Sequence, residues 1–409
     1  MVHTVAEIEP EERTSGGPGF AARPRRVGIV ADYLEERWPS MDLAAELTSL
    51  ALERYAEDAF EPTLLRPSMP RLLRRFRESK GARNADRYIG RYVAYPRWLR
   101  KRARGFDLFH VIDQSYAHLV NVLPARRTVV TCHDLDAFRS LIGEEREDRP
   151  LWFRRTMHTV LRGFRSAARV ICDSETIRAS IEEQYLIPSW RLSVVPLPVH
   201  PDFSPDPDLP ADREAARLLG PAQPGGLDLL HVGINIPRKR LGFLLRLFAA
   251  IRERHPNARL IRAGGALGDD QLRLADTLGL PRDAIVELPF ISRPVLAAVY
   301  RRATVLLATS KREGFGWPLV EAMACGTPVV ASDLAVFREV GGEAVTYAPV
   351  RDMHTWVDVV DRLLRDRADP REWKGRREAA LERADAFSLE SYARGVIAVY
   401  RHVLGMKEG

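Results

Sequence analysis

Two glutamates separated by a glycine-containing loop have the spacing expected of a site for a polyhydroxylated ligand. Glu313 and Glu321 stand in the stretch SKREGFGWPLVEAMACGTPVVASD, which follows the apolar run ATVLLATS. Carboxylates accept hydrogen bonds from hydroxyl groups, so the pair suits a sugar and a ribose. The alternative is a glycine-rich turn that carries two solvated glutamates.

The loop between the two glutamates predicts an anion site. Gly314 and Gly316 allow backbone N–H groups to approach a ligand, and Pro318 stands near the first turn of the helix that follows. A helix N-terminus adds about half a positive charge, and ligands of open α/β sheets bind at the carboxyl ends of strands. The segment therefore predicts a strand, a ligand-binding loop and a helix.

Two cations follow another predicted strand. Arg238 and Lys239 stand in GINIPRKR, directly after LDLLHVGI. Fixed cations stabilise negative charge that grows on a departing group. The alternative is a solvated basic turn.

The stretch EGFGWPLVEAMACGTPVVAS resembles the signature of glycosyltransferase family 4, whose members have a GT-B fold and retain the anomeric configuration. HVGINIPRKRLGFLLRLFAAI resembles the opening of that family's nucleotide domain, and ARVICDSETIRASIEEQYLIPSWRLSVVPLPV resembles the end of its N-terminal domain. The resemblance implies transfer of a sugar from a nucleotide diphosphate sugar to an acceptor hydroxyl, in polysaccharide, glycolipid or glycoconjugate synthesis.

The resemblance also implies roles for individual residues. Glu313 contacts the donor sugar, Glu321 binds the ribose, and Lys239 contacts the diphosphate. His133, in VVTCHDLDAF, faces the donor sugar, although a lone histidine at a strand end is often structural. Ile234 stands where many members have an arginine, a position for which Arg238 can compensate. The predicted catalytic residues are His133, Glu313, Lys239 and Arg238, and the predicted donor-binding residues are Gly233, Arg238, Lys239, Gly314, Phe315, Gly316, Trp317, Pro318, Leu319 and Glu321.

The predicted acceptor side departs from the family pattern. Many members have a Gly-Gly pair after the first strand, whereas Ser40 and Met41 occupy the approximate place here. The Met41 amide can still serve the diphosphate, and Trp38 is either an acceptor platform or a packed aromatic. His110, in FHVID, is either structural or on the acceptor side.

The alternation of strands and helices predicts an α/β protein made of two Rossmann-like halves with parallel sheets. The resemblance implies that these halves form a GT-B fold, in which the two sheets face a central cleft. The C-terminal helix is expected to cross back to the first domain, as its family counterpart does. The predicted boundaries are a disordered tail (1–24), an N-terminal acceptor domain (25–200), a linker (201–215), a nucleotide-sugar-binding domain (216–385) and a C-terminal helix (386–409). The stretch PVHPDFSPDPDLPADREA is rich in Pro and Asp, so we expect it to form neither a helix nor a central strand.

Composition argues against several classes of protein. No apolar run approaches the roughly 20 residues of a membrane span, and no signal peptide is recognisable, so a cytoplasmic protein is expected. Cys132, Cys172 and Cys325 form no CxxC pair, which argues against a cysteine metal site. Both halves lack GxGxxG after their first strand, which argues against an NAD(P) site. We expect no cofactor and no metal requirement; DLD at 134–136 is the nearest approach to a metal motif.

A basic segment stands out within the net charge of +7. From Arg66 to Arg104 the chain carries fourteen Lys and Arg, interleaved with aromatics, against Glu78 and Asp86. It is a solvated face, a peripheral contact with an anionic membrane, or a site for an anionic acceptor or nucleic acid. Nucleic acid is not expected, because no recognised binding motif accompanies the charge.

The expected partners are the nucleotide-sugar donor and a sugar, lipid-linked or small-molecule acceptor. Alternative functions are a GT-B sugar-nucleotide epimerase or phosphorylase, or a non-catalytic nucleotide-sugar or nucleic-acid binder. A phosphorylase needs a lysine environment for pyridoxal phosphate, which we do not identify. Without a well-placed nucleophile, the resemblance implies front-face attack assisted by the leaving diphosphate.

Overall fold

The computed structural model describes residues 23–70, 80–142, 147–221 and 226–406, and within them one parallel six-stranded sheet forms the first domain. Its order is β2-β1-β3-β4-β5-β6, so the direction of strand addition reverses between β1 and β3. The strands are β1 (Arg25–Val30), β2 (Phe60–Leu65), β3 (Leu108–Val111), β4 (Thr128–Cys132), β5 (Arg169–Cys172) and β6 (Leu192–Val194).

The second domain contains another parallel six-stranded sheet, in the order β12-β11-β10-β7-β8-β9. Here the order reverses between β7 and β10, which are hydrogen-bonded neighbours. The strands are β7 (Leu227–Val232), β8 (Ala258–Ala263), β9 (Ile285–Leu288), β10 (Val305–Ala308), β11 (Val329–Ser332) and β12 (Thr346–Ala348).

Helices connect the strands and cover the sheets. In the first domain they are α1 (Pro39–Tyr55), α2 (Lys80–Ile89), α3 (Tyr95–Arg102), α4 (Leu151–Ser166) and α5 (Glu175–Glu183), with a π-helical turn at Gly90–Ala94 between α2 and α3. In the second they are α6 (Leu209–Leu219), α7 (Leu241–Arg254), α8 (Asp269–Thr277), α9 (Arg293–Arg302), α10 (Trp317–Ala324), α11 (Ala335–Gly341), α12 (Met353–Ala368), α13 (Pro370–Asp385) and α14 (Leu389–Leu404).

Helix α6 begins inside the predicted linker. Asp208 accepts a hydrogen bond from the N–H of Ala211 and so caps the helix. Pro210 falls in the first turn, where a backbone N–H has no partner within the helix, so its absence in proline costs no hydrogen bond. The prediction that the Pro- and Asp-rich stretch forms no helix is therefore wrong from Leu209 onward. The predicted tail lies outside the described residues except for its last two positions.

The last helix packs on the first domain, as predicted. The hydroxyl of Tyr392 lies 2.8 Å from that of Thr48 in α1, and the hydroxyl of Tyr400 lies 2.8 Å from Nδ1 of His110 in β3. Tyr400 is fully buried, with its ring centroid 5.5 Å from that of Phe60. A continuous apolar core thus includes side chains of both domains and of α14.

Three of the basic segment's four described aromatic side chains are turned inward, whereas Tyr88 is 38% exposed. Tyr95 is fully buried and donates to the carbonyl groups of Ala31 and Leu65. Tyr92 and Trp98 pack against a second apolar cluster, which lies within the first domain. Tyr88 lies against Trp152 at 5.7 Å. The rest of the segment, 71–79, lies outside the described residues. No described helix is long and apolar enough to cross a bilayer.

Candidate active site

The predicted donor residues meet where the second sheet reverses its order. Gly233 follows β7, and a single helical turn at Pro237–Lys239 comes next. Glu313 follows the neighbouring strand, β10, in the loop that leads to α10. Because both strands end at the same edge, the two basic residues and the first glutamate lie together at the position where open α/β sheets bind ligands.

Glu313 is the centre of this cluster. Its side chain is buried, its Oε1 lies 2.7 Å from the ammonium nitrogen of Lys239, and its Oε2 is paired with Arg238. The hydroxyl of Ser310 donates to the same carboxylate at 2.7 Å. Burial acts to raise the pKa of Glu313, but the charges of Lys239 and Arg238 outweigh it and hold that pKa below its usual range. The cluster is therefore ionised and carries one excess positive charge.

Glycines give this cluster its shape. At Gly233, φ is 149° and a Cβ would stand 3.0 Å from Cε of Lys239, so the bare backbone leaves room for the lysine stem. Gly316 adopts a left-handed conformation before α10, where a Cβ would stand 2.7 Å from the ring of Phe337. No hydrogen bond within the described ranges uses the N–H of Phe315 or of Gly316. Two amides at the start of a helix are thus available to an anion.

Glu321 lies in the second turn of α10 and is also buried. Its Oε2 accepts a hydrogen bond from the hydroxyl of Tyr300 at 2.7 Å. Burial raises the pKa of Glu321 to about 7, against the opposing effects of Tyr300 and of the charge of Lys239. The two glutamates therefore differ: Glu313 is ionised, while Glu321 titrates near neutrality.

The side chains of most other predicted donor residues pack in the core or form hydrogen bonds within the protein. Leu319 belongs to the core, and the ring of Phe315 lies 5.6 Å from that of Phe387. Trp317 donates its indole N–H to the carbonyl oxygen of Pro198 at 2.9 Å. Pro318 lines a narrow cavity with Lys239, Ser310 and Glu313.

His133 lies at the carboxyl end of β4, where both its ring nitrogens already have partners. Nδ1 is 2.6 Å from Oδ2 of Asp173, and Nε2 is 2.8 Å from the carbonyl oxygen of Ile112. The backbone of His133 abuts the donor loop, because a Cβ at Gly314 would stand 1.7 Å from its carbonyl oxygen. The structure thus brings His133 to the cleft.

His110 lies inside the first domain instead. Its Nδ1 contacts Tyr400 and its Nε2 lies 2.7 Å from the hydroxyl of Thr131. Burial, with the charge of His133, lowers the pKa of His110 to about 3. This geometry favours the structural alternative over a role on the acceptor side.

The residues after β1 lie on the first domain's rim. Trp38 is 40% exposed, and Ser40 is exposed in the first turn of α1. The N–H of Met41 donates to the carbonyl oxygen of Trp38 at 3.0 Å. That amide is therefore engaged within its own turn and does not point at a diphosphate.

Contacts across the cleft involve residues that sequence reasoning missed. Glu339 of α11 accepts hydrogen bonds from the N–H groups of Glu175 and Thr176 at 2.6 and 3.0 Å, and thus caps α5 of the other domain. Ser174 donates to the carbonyl oxygen of Gly314 at 3.2 Å. Nothing in the sequence identifies Glu339, which stands 164 residues after Glu175, as a cap of α5.

The DLD stretch forms internal contacts. Asp134 accepts a hydrogen bond from Gln114 at 2.9 Å, and Asp136 pairs with Arg312 at 3.4 Å across the cleft. Among the residues the structure describes, no group of three or more His, Cys, Asp or Glu could hold a metal ion.

Two family models match most of the chain. One, described as glycosyl transferases group 1, matches residues 220–379, and the other, described as glycosyltransferase family 4, matches residues 46–203. The first model therefore covers the donor cluster, and the second covers most of the first domain, including His110 and His133, but begins after Trp38, Ser40 and Met41.

A curated relative and two solved structures agree with these matches. A D-inositol 3-phosphate glycosyltransferase of Mycobacterium leprae is 33% identical over 242 residues, which span 57% of this chain and 55% of the relative. The chain thus matches about half the length of that protein. Sucrose-phosphate synthase from Thermosynechococcus elongatus superimposes with a TM-score of 0.71, at 18% identity, over 93% of this chain and 99% of its own. Anabaena HepE in complex with UDP and glucose gives 0.68, at 15% identity, over 91% and 98%. These structures confirm the predicted GT-B fold.

Proposed function

Because this chain belongs to the glycosyltransferases of group 1 and family 4 type, we propose that it moves a sugar from a nucleoside diphosphate sugar to an acceptor hydroxyl, with retention at the anomeric carbon. The observation that carries this proposal is the partly buried cluster of Lys239, Arg238 and Glu313 beside the amides of Phe315 and Gly316, which have no partner among the described residues. Its net positive charge fits a diphosphate, and its carboxylate fits sugar hydroxyls.

The charge of the cluster matches the charge that develops in the reaction. When the bond between the anomeric carbon and the diphosphate oxygen breaks, negative charge grows on that oxygen. In this proposal Lys239 and Arg238 face that charge, and the amides of the donor loop add fixed dipoles. Glu313 accepts hydrogen bonds from the sugar, and the carboxylate of Glu321 accepts them from the ribose.

Retention follows in this proposal from attack on the face that the diphosphate leaves. Glu313 is already engaged by two cations and a hydroxyl, which makes it a poor nucleophile. The acceptor oxygen therefore bonds directly to the anomeric carbon, and its proton passes to the departing phosphate oxygen. The cations take the role of neutralising the diphosphate, so we propose that the reaction requires no metal; turnover that survives a chelator would support this.

The acceptor is proposed to enter from the first domain's rim near Trp38. A soluble sugar, a small molecule or a lipid-linked acceptor each supplies the required hydroxyl. Exposed cations on and after α3 favour work at the inner face of an anionic membrane, as a peripheral cytoplasmic protein. We call these residues the α3 cationic surface: Arg97, Arg100, Lys101, Arg102 and Arg104.

Two measurements test the proposal against its alternatives. A ligand that binds only the native state raises the melting temperature, so UDP, GDP, ADP and TDP identify the donor base by the shift each produces. Nucleotide sugars that share the base are then incubated with and without candidate acceptors. Release of nucleoside diphosphate supports a transferase, interconversion of donors without an acceptor indicates an epimerase, and binding without turnover indicates a binding protein.

A further inference from the structure

An aspartate that the proposed reaction does not yet use is placed to hold His133. Strands β4 and β5 are parallel neighbours in which Cys132 pairs with Cys172, so the next residues, His133 and Asp173, lie side by side at the carboxyl edge. Nδ1 of the histidine is 2.6 Å from Oδ2 of the aspartate. Asp173 is 1% exposed, and its other oxygen, Oδ1, has no hydrogen-bond partner among the described residues.

The second ring nitrogen is engaged as well. Nε2 lies 2.8 Å from the carbonyl oxygen of Ile112, and a carbonyl group can only accept a hydrogen bond. Nε2 therefore carries a proton. With Nδ1 facing Asp173, His133 has no free nitrogen with which to take a proton from an acceptor hydroxyl.

The charges around the ring favour its cationic form. Asp173, which follows β5, Asp113, which follows β3, and Asp134 from its own loop interact electrostatically with His133, as does the neutral His110. Burial acts to lower the pKa of His133, but the charge and hydrogen bond of Asp173 outweigh it and raise that pKa to about 9. Burial also raises the pKa of Asp173, while the charge and hydrogen bond of His133 act to lower it. The 2.6 Å contact favours the ionised pair, with His133 as the imidazolium.

The pair is tied directly to the donor loop. The carbonyl oxygen of His133 is in contact with Gly314, and Ser174, the neighbour of Asp173, donates to the carbonyl oxygen of the same glycine. Both sides of Gly314 are thus fixed by the ends of β4 and β5. The position of the imidazolium relative to the donor is set by these contacts.

We infer that Asp173 is a positioning residue that fixes His133 as a cation facing the donor, so that His133 acts by electrostatic stabilisation and not by proton transfer. This inference rests on the proposed function, since it assigns the charge to the departing diphosphate. It adds a residue outside the donor cluster, on the opposite wall of the cleft. The proton released by the acceptor still passes to the leaving oxygen.

The test compares the wild-type chain with Asp173→Asn over pH 5.5 to 9.5. We expect wild-type turnover to show no loss attributable to His133 until the pH approaches 9. In Asp173→Asn the imidazole returns towards the ordinary value of about 6.5, so turnover falls as the pH rises through that range, by about tenfold or more at pH 8. The effect is expected on kcat more than on KM. Asp173→Glu, which keeps the charge, should restore part of the activity at pH 8.

A spectroscopic readout keeps the inference independent of turnover and of folding of the variant. The His133 Cε1–H signal of the full chain, assigned with His133→Gln, should remain that of an imidazolium at pH 7.5. Asp58→Asn, an exposed aspartate of the same domain, is the control and should leave signal and pH profile unchanged. Titration of His133 near 6.5 in the wild-type chain, or an unchanged pH profile in Asp173→Asn, overturns the inference. Absence of turnover with every donor contradicts the proposed function instead, while the titration still tests the pair.

Discussion

Lys239 is the residue whose charge bears most directly on the proposed chemistry, because its Nζ lies 2.7 Å from Oε1 of Glu313, beyond the carboxyl end of β7. In Lys239→Ala, Arg238 remains to neutralise the glutamate, so the fold should be largely preserved. We expect kcat to fall on the order of a hundredfold, since one fixed group that stabilises developing charge typically contributes that much. Steady-state kinetics measure this. Lys374→Ala, a lysine whose side chain is 76% exposed on α13, is the control, and near-normal turnover of Lys239→Ala would remove this lysine from the site.

Glu321 makes nucleotide binding depend on pH. Its pKa of about 7 in the ligand-free protein means that it is largely neutral at pH 6 and ionised at pH 8. Since the carboxylate accepts from two ribose hydroxyls better than the neutral acid, affinity for the nucleoside diphosphate should rise with pH across this range. Glu321→Gln should bind more weakly at pH 8, by about 1.5–3 kcal/mol, and should lose this rise. Calorimetry at pH 6 and 8 measures both effects.

The comparison within that experiment isolates the glutamate from the titration of the phosphate itself. Glu382→Gln, an exposed glutamate of α13, should retain the wild-type affinity and pH dependence. If Glu321→Gln behaves as this control does, then Glu321 does not bind the nucleotide.

At the scale of secondary-structure elements, Glu339 links the two domains through the N-terminus of α5. Its carboxylate accepts hydrogen bonds from two backbone amides that have no partner among the described residues of α5's own domain, in the favourable field of the helix. Glu339→Ala should therefore weaken the closed arrangement by about 1 kcal/mol, as the loss of a cap typically does. We expect several-fold weaker donor binding and a larger radius of gyration of the ligand-free protein in solution scattering. Glu343→Ala, exposed just beyond α11, is the control; an unchanged radius and unchanged binding for Glu339→Ala would show that closure does not depend on this contact.

The strand ends and the donor loop were predictable because their residues are neighbours in sequence or follow from the parallel topology. Gly233, Lys239 and Glu313 come together because β7 and β10 pair. The strand–helix alternation predicts that parallel strands end at the same edge, but it does not predict that these two strands are neighbours. The start of α6 was not predicted, because proline disrupts the interior of a helix but is tolerated in the first turn, where Pro210 stands. The sequence did not predict that Tyr95 is buried, because an aromatic residue among arginines is compatible with an exposed interface and with a packed helix.

Some of the site depends on contacts that no local pattern encodes. Asp173 appears in the sequence as one aspartate before a helix cap, and its hydrogen bond to His133 joins residues 40 apart. The engagement of the Met41 amide by Trp38 likewise depends on how the turn after β1 closes. These features follow from tertiary register and turn geometry, which composition and spacing do not determine.

At the scale of the whole molecule, the α3 cationic surface predicts binding to anionic vesicles. Coulomb attraction between exposed charges is screened over about 8 Å at physiological salt. Tyr92, Tyr95 and Trp98 pack inward, so they do not insert into the bilayer and add no salt-resistant contribution to vesicle binding. We therefore expect co-sedimentation with anionic but not neutral vesicles at low salt, and loss of binding at high salt.

Charge-neutralising variants locate this effect on the molecule. Replacing Arg100, Lys101 and Arg104 together with Gln should abolish vesicle binding, whereas the same change at Arg362, Arg365 and Arg371 of the second domain should not. Wild-type protein that stays in the supernatant with anionic vesicles at low salt would contradict the membrane proposal. A soluble acceptor would then be favoured.

The stereochemical course of the reaction tests the central claim most directly. The full chain is incubated with the α-linked sugar of whichever nucleoside diphosphate raises its melting temperature most, with a panel of hydroxyl acceptors, and the anomeric protons are followed by NMR as product first forms. We predict release of the nucleoside diphosphate and a product whose new bond has the α configuration, with both signals strongly reduced in Lys239→Ala. A β-configured first product would contradict the retaining mechanism, and a donor that binds but is never consumed with any acceptor would contradict the assignment of transferase activity.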